Sequence, residues 1–390
     1  MLKAPPLSLY IHIPWCVQKC PYCDFNSHAF SKGVNENTVP EQEYVSALIA
    51  DLDSDIARFD LQQRKLHTIF IGGGTPSLFS SQAIESLLSQ VLARFDYDED
   101  IEVTLEANPG TVEAEKFIGF AQAGVSRLSI GVQSFESTKL IKLGRIHDSQ
   151  QAKVAAQLAQ DCGVKSFNLD LMHGLPQQSL DNALGDLKTA ISLNPQHLSW
   201  YQLTIEPNTA FHSRPPTLPQ DEVLWDIQDK GFKLLADAGY HQYEISGFSK
   251  PGMQCQHNLN YWKFGDYLGI GCGAHGKITQ AHENKIYRTV KVKHPKGYLD
   301  KDREFLDHLK TVSHDELPFE FMMNRLRLRV PFAESDFEQT TGLAIATVKP
   351  ELINAANKGL ITKLNNQAGT QWQVSQLGHR YLNDLLEMFL

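Results

Sequence analysis

The stretch SLYIHIPWCVQKCPYCDF, residues 8–25, runs a short β-rich segment straight into three cysteines, Cys16, Cys20 and Cys23, and then offers no fourth. In parallel βα architectures the chemistry sits beyond the carboxyl ends of the strands, which is where this loop falls. Three thiolates leave a tetrahedral ion or an iron–sulfur cluster one ligand short. C-x3-C-x2-C in one loop suits a cubane, whose corner irons are reached by thiolates from a single turn. Structural zinc usually draws on two separated pairs. Zinc stays open as the alternative, with His12 or His28 near enough in sequence to complete a site, and with it the reading of a zinc-stabilised binding module. On a cubane, the open iron would accept a small molecule that chelates through amino and carboxylate groups.

Outward from this loop, six β-rich runs follow one another: SLYIHI, HTIFIG, IEVTLEA, RLSIGV, SFNLDLM and HLSWYQLT. Helical periodicity fills the gaps near 41–58, 81–94, 113–123, 149–161, 180–193 and 221–238. Strands each followed by a helix imply parallel βα units. The expected fold is α/β, a partial (β/α)6 barrel, with a doubly wound open sheet as the alternative. The expected domains are a barrel core at 1–245, a connecting segment at 246–300 that completes the site, and an accessory domain at 301–390. The last is mostly helical with a small hairpin (GLITKL, a turn, then QWQVS), hence winged-helix-like. Arg325, Arg327 and Arg329 form the only obvious basic cluster and read as a solvated helix face.

Composition narrows the class. A net charge of −9 argues against a general nucleic-acid binder. No apolar run reaches membrane-spanning length, and the N-terminus lacks the apolar region and cleavage site of a signal peptide. Of six cysteines, three are clustered and the others lie far apart, which fits a reducing cytoplasm rather than a disulfide framework. The expected location is therefore cytoplasmic.

The strand ends carry the functional argument. Strand two ends in GGGTPS (72–77), strand three in LEANPG with Glu106 and Asn108, and strand four in GVQSF with Gln133. Strand five carries Asp170 into MHGLP, and strand six ends in TIEPN. Taken singly, each has a structural reading: a tight glycine turn, a capping carboxylate, an ion-pair partner at a barrel mouth. Six polar or glycine-rich ends at one rim point to a site.

C-x3-C-x2-C after the first strand and GGG after the second resemble the radical S-adenosylmethionine (SAM) superfamily. The longer set IHIPWCVQKCPYCDF, FIGGGTPSL, LEANPG, SIGVQSF, LGRIH, LDLMHGLP and HNLNYW resembles its HemN/HemW branch, which holds oxygen-independent coproporphyrinogen III dehydrogenases and heme chaperones. The resemblance implies a [4Fe–4S] cluster on Cys16, Cys20 and Cys23, with SAM on the fourth iron. Tyr10, Gly73 and Glu106 would line that SAM, with Gly74 and Thr75 beside them, and Tyr22 is the aromatic residue before the last cysteine. Gln133, Arg145 and Asp170 match positions that hold a second SAM in the dehydrogenase. The dehydrogenase pattern has a further cysteine where this chain has Phe25, and a longer stretch before its first strand. Both departures, with HNLNYW, place the resemblance on the chaperone side: binding of heme and its transfer to an acceptor protein, soluble or membrane-associated, by a monomer or homodimer. Porphyrinogen decarboxylation is the alternative.

The segment MQCQHNLNYW supplies Met253, Cys255 and His257 as candidate heme ligands, with His257 preferred under the resemblance. Its structural reading is a histidine that fixes a loop beside packed aromatics. Cys272 and His275, in GIGCGAHG, are candidates to border the SAM pocket; buried packing is the alternative for Cys272.

Overall fold

The computed structural model describes residues 2–30, 39–110, 114–367 and 369–390. Its first strand, Leu7–Ile13, buries Leu7, Leu9, Ile11 and Ile13 completely on one face. Ser8, Tyr10 and His12 occupy the other face, as period-two alternation requires. The same alternation recurs along Lys65–Gly73, Asp96–Ala107, Arg127–Gln133, Ser166–His173 and His197–Gln202. Apolar positions meet the surrounding helices; polar positions such as Thr68, Glu106, Ser129, Asp170 and Tyr201 share the inner face. These six strands pair in chain order and all in parallel.

Helices Glu41–Phe59, Ser81–Leu92, Ser149–Asp161, Leu180–Ser192 and Asp221–Asp237 match the periodicity to within two residues at each end. Their starts are chemically marked: Ser80 Oγ accepts from the Ala83 amide, and Asp148 and Ser179 cap theirs through the third residue. In the third helical gap the structure has Phe117–Gln122, and position 113 lies outside the described residues.

The sheet curls. The Phe211 amide, beyond the sixth strand, donates to the Pro21 carbonyl in the cysteine loop at 2.9 Å. Among the described residues no strand pairing joins the ends of the twelve-stranded order, so the arc is a partial barrel. The segment 246–300, expected as a connection, builds much of that sheet. Asp266–Ile270 lies parallel beside the first strand, followed by antiparallel His275–Gln280, Lys285–Lys291 and Leu306–Thr311. Gly247–Ser249 extends the other edge. Short, glycine-broken runs such as DYLGIG carry too little alternation to be recognised alone.

A second apolar core spans residues 312–389 and takes in Leu2, Phe264 and Ile286 from outside them. It holds the three-stranded sheet of Phe332–Ala333, Gly369–Val374 and Ile361–Asn366 with its helices. The three arginines do not form a solvated face. Arg325 is buried and donates to the Pro331 carbonyl, Arg327 stacks 5.1 Å from the Trp262 ring, and Arg329 faces a cleft. The helix ends at Arg325, so the following residues leave its surface. Among the described residues no helix is long and apolar enough to cross a membrane.

Candidate functional site

The carboxyl ends of the strands enclose a cavity of about 320 Å³. Cys16, Cys20, Tyr22 and Cys23 line it from the first loop, and Gly73, Gly74 and Thr75 from the second strand end. Glu106, Asn108, Gln133, Arg145 and Asp170 complete the set, so the candidates from all these strand ends share one space. Ser129 and Tyr201 line it too. They were legible only as inward positions of alternating strands.

Gly73 has φ +117°, and a Cβ there would lie 2.7 Å from His12 Cε1 and 2.8 Å from the Ile13 carbonyl oxygen. Only glycine fits that turn. Its amide donates to Glu106 Oε2 at 3.0 Å, which aims the carboxylate at the cavity. Burial, reinforced by the nearby Asp170 charge, pushes the Glu106 carboxyl up to about 7. Gln133 adopts φ +67°, uncommon for a residue with a Cβ, and its Oε1 accepts from the Tyr201 hydroxyl at 2.9 Å.

Arg145 clips three walls together. Its guanidinium donates to Asn108 Oδ1 at 2.8 Å and the Gly131 carbonyl at 2.6 Å, and reaches Cys20 Sγ at 3.8 Å. Ser27 Oγ lies 3.6 Å from Cys23 Sγ. Donors therefore surround the sulfurs, as an anionic cluster requires. The cysteine loop is pinned by Asn26, whose amide group donates to the Cys272 and Lys293 carbonyls, both at 2.9 Å. Among the described residues no three His, Cys, Asp or Glu side chains stand close enough to share one ion. Both nitrogens of His12 are engaged: Nε2 donates to the Asn26 carbonyl at 2.8 Å and Nδ1 accepts from Tyr10 at 3.0 Å. His28 Nε2 lies 3.2 Å from the Lys293 carbonyl oxygen. The residues fit the cluster.

Tyr10 and His257 stand apart from the cavity lining. Tyr10 stacks on Phe70, beneath it. His257 belongs to helix Gln256–Trp262, inserted at the opposite end of the strands, where its Nδ1 lies 2.9 Å from Thr68 Oγ1. Glu102 accepts the Gln256 and His257 amides and the Cys255 thiol, holding that helix by its first turn. Burial pulls the His257 imidazole down to about 3 and pushes the Cys255 thiol up to about 12. Both are neutral. Cys272 is fully buried, and neither it nor His275 borders the cavity. A chain of polar groups links the two ends: Tyr243 and His197 at 2.8 Å, His197 and Asn168 at 2.7 Å, Asn168 and Asp170 at 2.8 Å.

Comparison with known proteins agrees with this geometry. The model of the Radical SAM superfamily matches residues 10–189, and that of the HemN C-terminal domain matches 312–378. Across its full length the chain is 56% identical to the heme chaperone HemW of Escherichia coli K12, also covered in full. It is 55% identical to the same-named protein of Haemophilus influenzae, covering 99% of it, and 34% identical to that of Bacillus subtilis. The solved coproporphyrinogen III oxidase (HemN) of Escherichia coli aligns over 99% of this chain and 90% of its own, with a TM-score of 0.79 at 23% identity, a likeness of fold. With the barrel, the C-terminal domain and full-length relatives in agreement, the chain belongs to the heme chaperone HemW family of the radical SAM superfamily.

Proposed function

We propose that this protein is a heme chaperone, binding heme and passing it to an acceptor protein from a scaffold that carries a [4Fe–4S] cluster and SAM. The full-length identity to curated heme chaperones carries the reading. In it, Cys16, Cys20 and Cys23 hold the cluster, and Glu106, Gly73, Gly74 and Thr75 receive SAM. The cluster, when bound, supplies electrons to SAM. The chain's own groups do the rest. Glu106 and Asp170 set a negative field suited to the cationic sulfonium, Gly73 admits close backbone approach, and Arg145 offsets charge at Cys20. Gln133, which accepts from the Tyr201 hydroxyl, forms with Arg145 and Asp170 the polar end where a second SAM would rest.

His257 enters differently. Enclosed against Phe70 and bonded to Thr68, it would have to leave the barrel interior to meet heme iron, so we read it as the anchor of its helix. The test is anaerobic reconstitution followed by heme titration at the Soret band, with transfer to an apo-hemoprotein and porphyrinogen turnover followed in parallel. Saturable binding and transfer without decarboxylation is the expected result. Turnover to protoporphyrinogen without heme binding would overturn it in favour of the dehydrogenase.

A further inference from the structure

Beneath the cavity, one run of buried polar groups has a direction. Asn168 and Asp170 lie two residues apart on strand Ser166–His173, so both point into the barrel, Asp170 at the cavity and Asn168 one level below. The register seats Asn168 between Ser129 and His197 of the two neighbouring strands. Asn168 Nδ2 donates to Asp170 Oδ1 at 2.8 Å, and Ser129 Oγ to Asp170 Oδ2 at 3.0 Å. A carboxylate only accepts, which fixes the way the Asn168 amide faces. Its oxygen accepts from the Ser199 hydroxyl at 3.2 Å and meets His197 Nδ1 at 2.7 Å. The proton of that bond is therefore on Nδ1, and Nε2 accepts from the Tyr243 hydroxyl at 2.8 Å. Tyr243 Oη in turn accepts from the Cys255 amide, 3.4 Å away at the start of helix Gln256–Trp262.

Every donor in the run points towards Asp170. Burial and the Arg127 guanidinium hold His197 well below the usual imidazole range, so it is neutral and has one tautomer. Tyr243 is clamped: its ring meets His197 edge-on at 5.5 Å, and a Cβ on Gly247 would lie 2.9 Å from its Cε1. Hydrogen bonds in series strengthen one another inside a protein, and a member left unpaired there is costly. None of Asn168, His197 and Tyr243 lines the cavity; they reach it through Asp170 and its partner Ser129.

We propose that Asn168, His197 and Tyr243 are positioning residues for SAM binding: they hold the Asp170 carboxylate from below and leave a lone pair on each oxygen for the ligand above. The far end of the run rests on the HNLNYW segment, so the seat of that helix is transmitted to the polar end of the cavity. The inference rests on the reading that SAM meets Asp170, and supplies what orients that carboxylate.

The experiment is calorimetric titration of SAM into the full-length, cluster-loaded protein, as a double-mutant cycle on Tyr243→Phe and Asp170→Asn. Tyr243→Phe removes one hydroxyl outside the cavity and is expected to weaken SAM binding about three- to fivefold, up to the worth of one hydrogen bond, with iron content unchanged. In the Asp170→Asn background the same change should have no further effect, because its route is gone. An equal loss in both backgrounds, or no loss in either, would overturn the proposal. A second measurement uses the unaltered chain. In nuclear magnetic resonance spectra of isotope-labelled histidine, His197 should stay the neutral Nδ1–H tautomer between about pH 6 and 8. The Nε2–H tautomer or an imidazolium there would overturn the proposal even if the variants failed to fold. SAM binding unchanged by Asp170→Asn alone would instead remove Asp170 from the SAM site.

Discussion

At the scale of single residues, the cysteines near the barrel ends divide by environment rather than by number. Cys16, Cys20 and Cys23 face the cavity, whereas Cys255 donates to Glu102 and Cys272 to the Lys293 carbonyl, both thiols raised to about 12 by burial. A thiol that stays protonated is a poor metal ligand. Alanine at 16, 20 or 23 should therefore abolish most iron and sulfide binding after anaerobic reconstitution, while Cys255→Ala and Cys272→Ala retain it, as read by elemental analysis. Glu106 gives a pH prediction. Its carboxyl, raised to about 7, is neutral below that pH and charged above it, so affinity for cationic SAM should grow as pH rises through 7. Between pH 6 and 8 the gain should approach roughly tenfold. Glu106→Gln should flatten it, and S-adenosylhomocysteine, which lacks the sulfonium, should show little of it in calorimetric titration. The cavity cysteines, Glu106 and Asp170 were legible because motif and strand end coincide. His257 shows the opposite: residue type marked it as a candidate ligand, and its burial against Phe70 beside Thr68 was not legible from spacing.

At the scale of elements, the inserted helix Gln256–Trp262 depends on a carboxylate far away in sequence. Its first-turn amides have no intrahelical acceptors, and Glu102 Oε1 and Oε2 accept them at 3.0 Å. Glu102→Ala leaves those donors buried and unpaired, at about 2–3 kcal/mol. Hydrogen exchange should then rise selectively at 256–262, with the strands protected as before; uniform exchange across the barrel would contradict a local role. Strands and long helices were readable from period alone, since a polar inner column and an apolar outer face alternate along each strand. The strands from residue 266 onward were not. Asp266–Ile270 gains its stability from pairing with the first strand, a partner no local window contains, and the later strands add on to it in turn.

At the scale of the whole molecule, two cores are joined through a few side chains. Phe264 is buried in the second core against Phe321, and the Lys277 ammonium lies 4.2 Å from its ring centroid and donates to its carbonyl at 3.0 Å. Lys277 in turn pairs with Asp266 at 3.0 Å in the barrel sheet. Phe264→Ala should cost about 3–5 kcal/mol and split thermal unfolding into two calorimetric transitions as the C-terminal domain loosens. A single transition shifted as a unit would mean that the cores remain coupled without it. The sequence by itself determined the βα order, the cluster loop and the family, because these are carried by residue type at short spacing. Tertiary structure alone decided that the HNLNYW helix closes the end of the barrel opposite the cavity, and that three neighbouring arginines part company. It also decided that one of them stands unpaired in a cleft. The physical reason is common to all three: burial and the identity of a partner depend on which distant segments meet, and spacing along the chain does not encode that meeting.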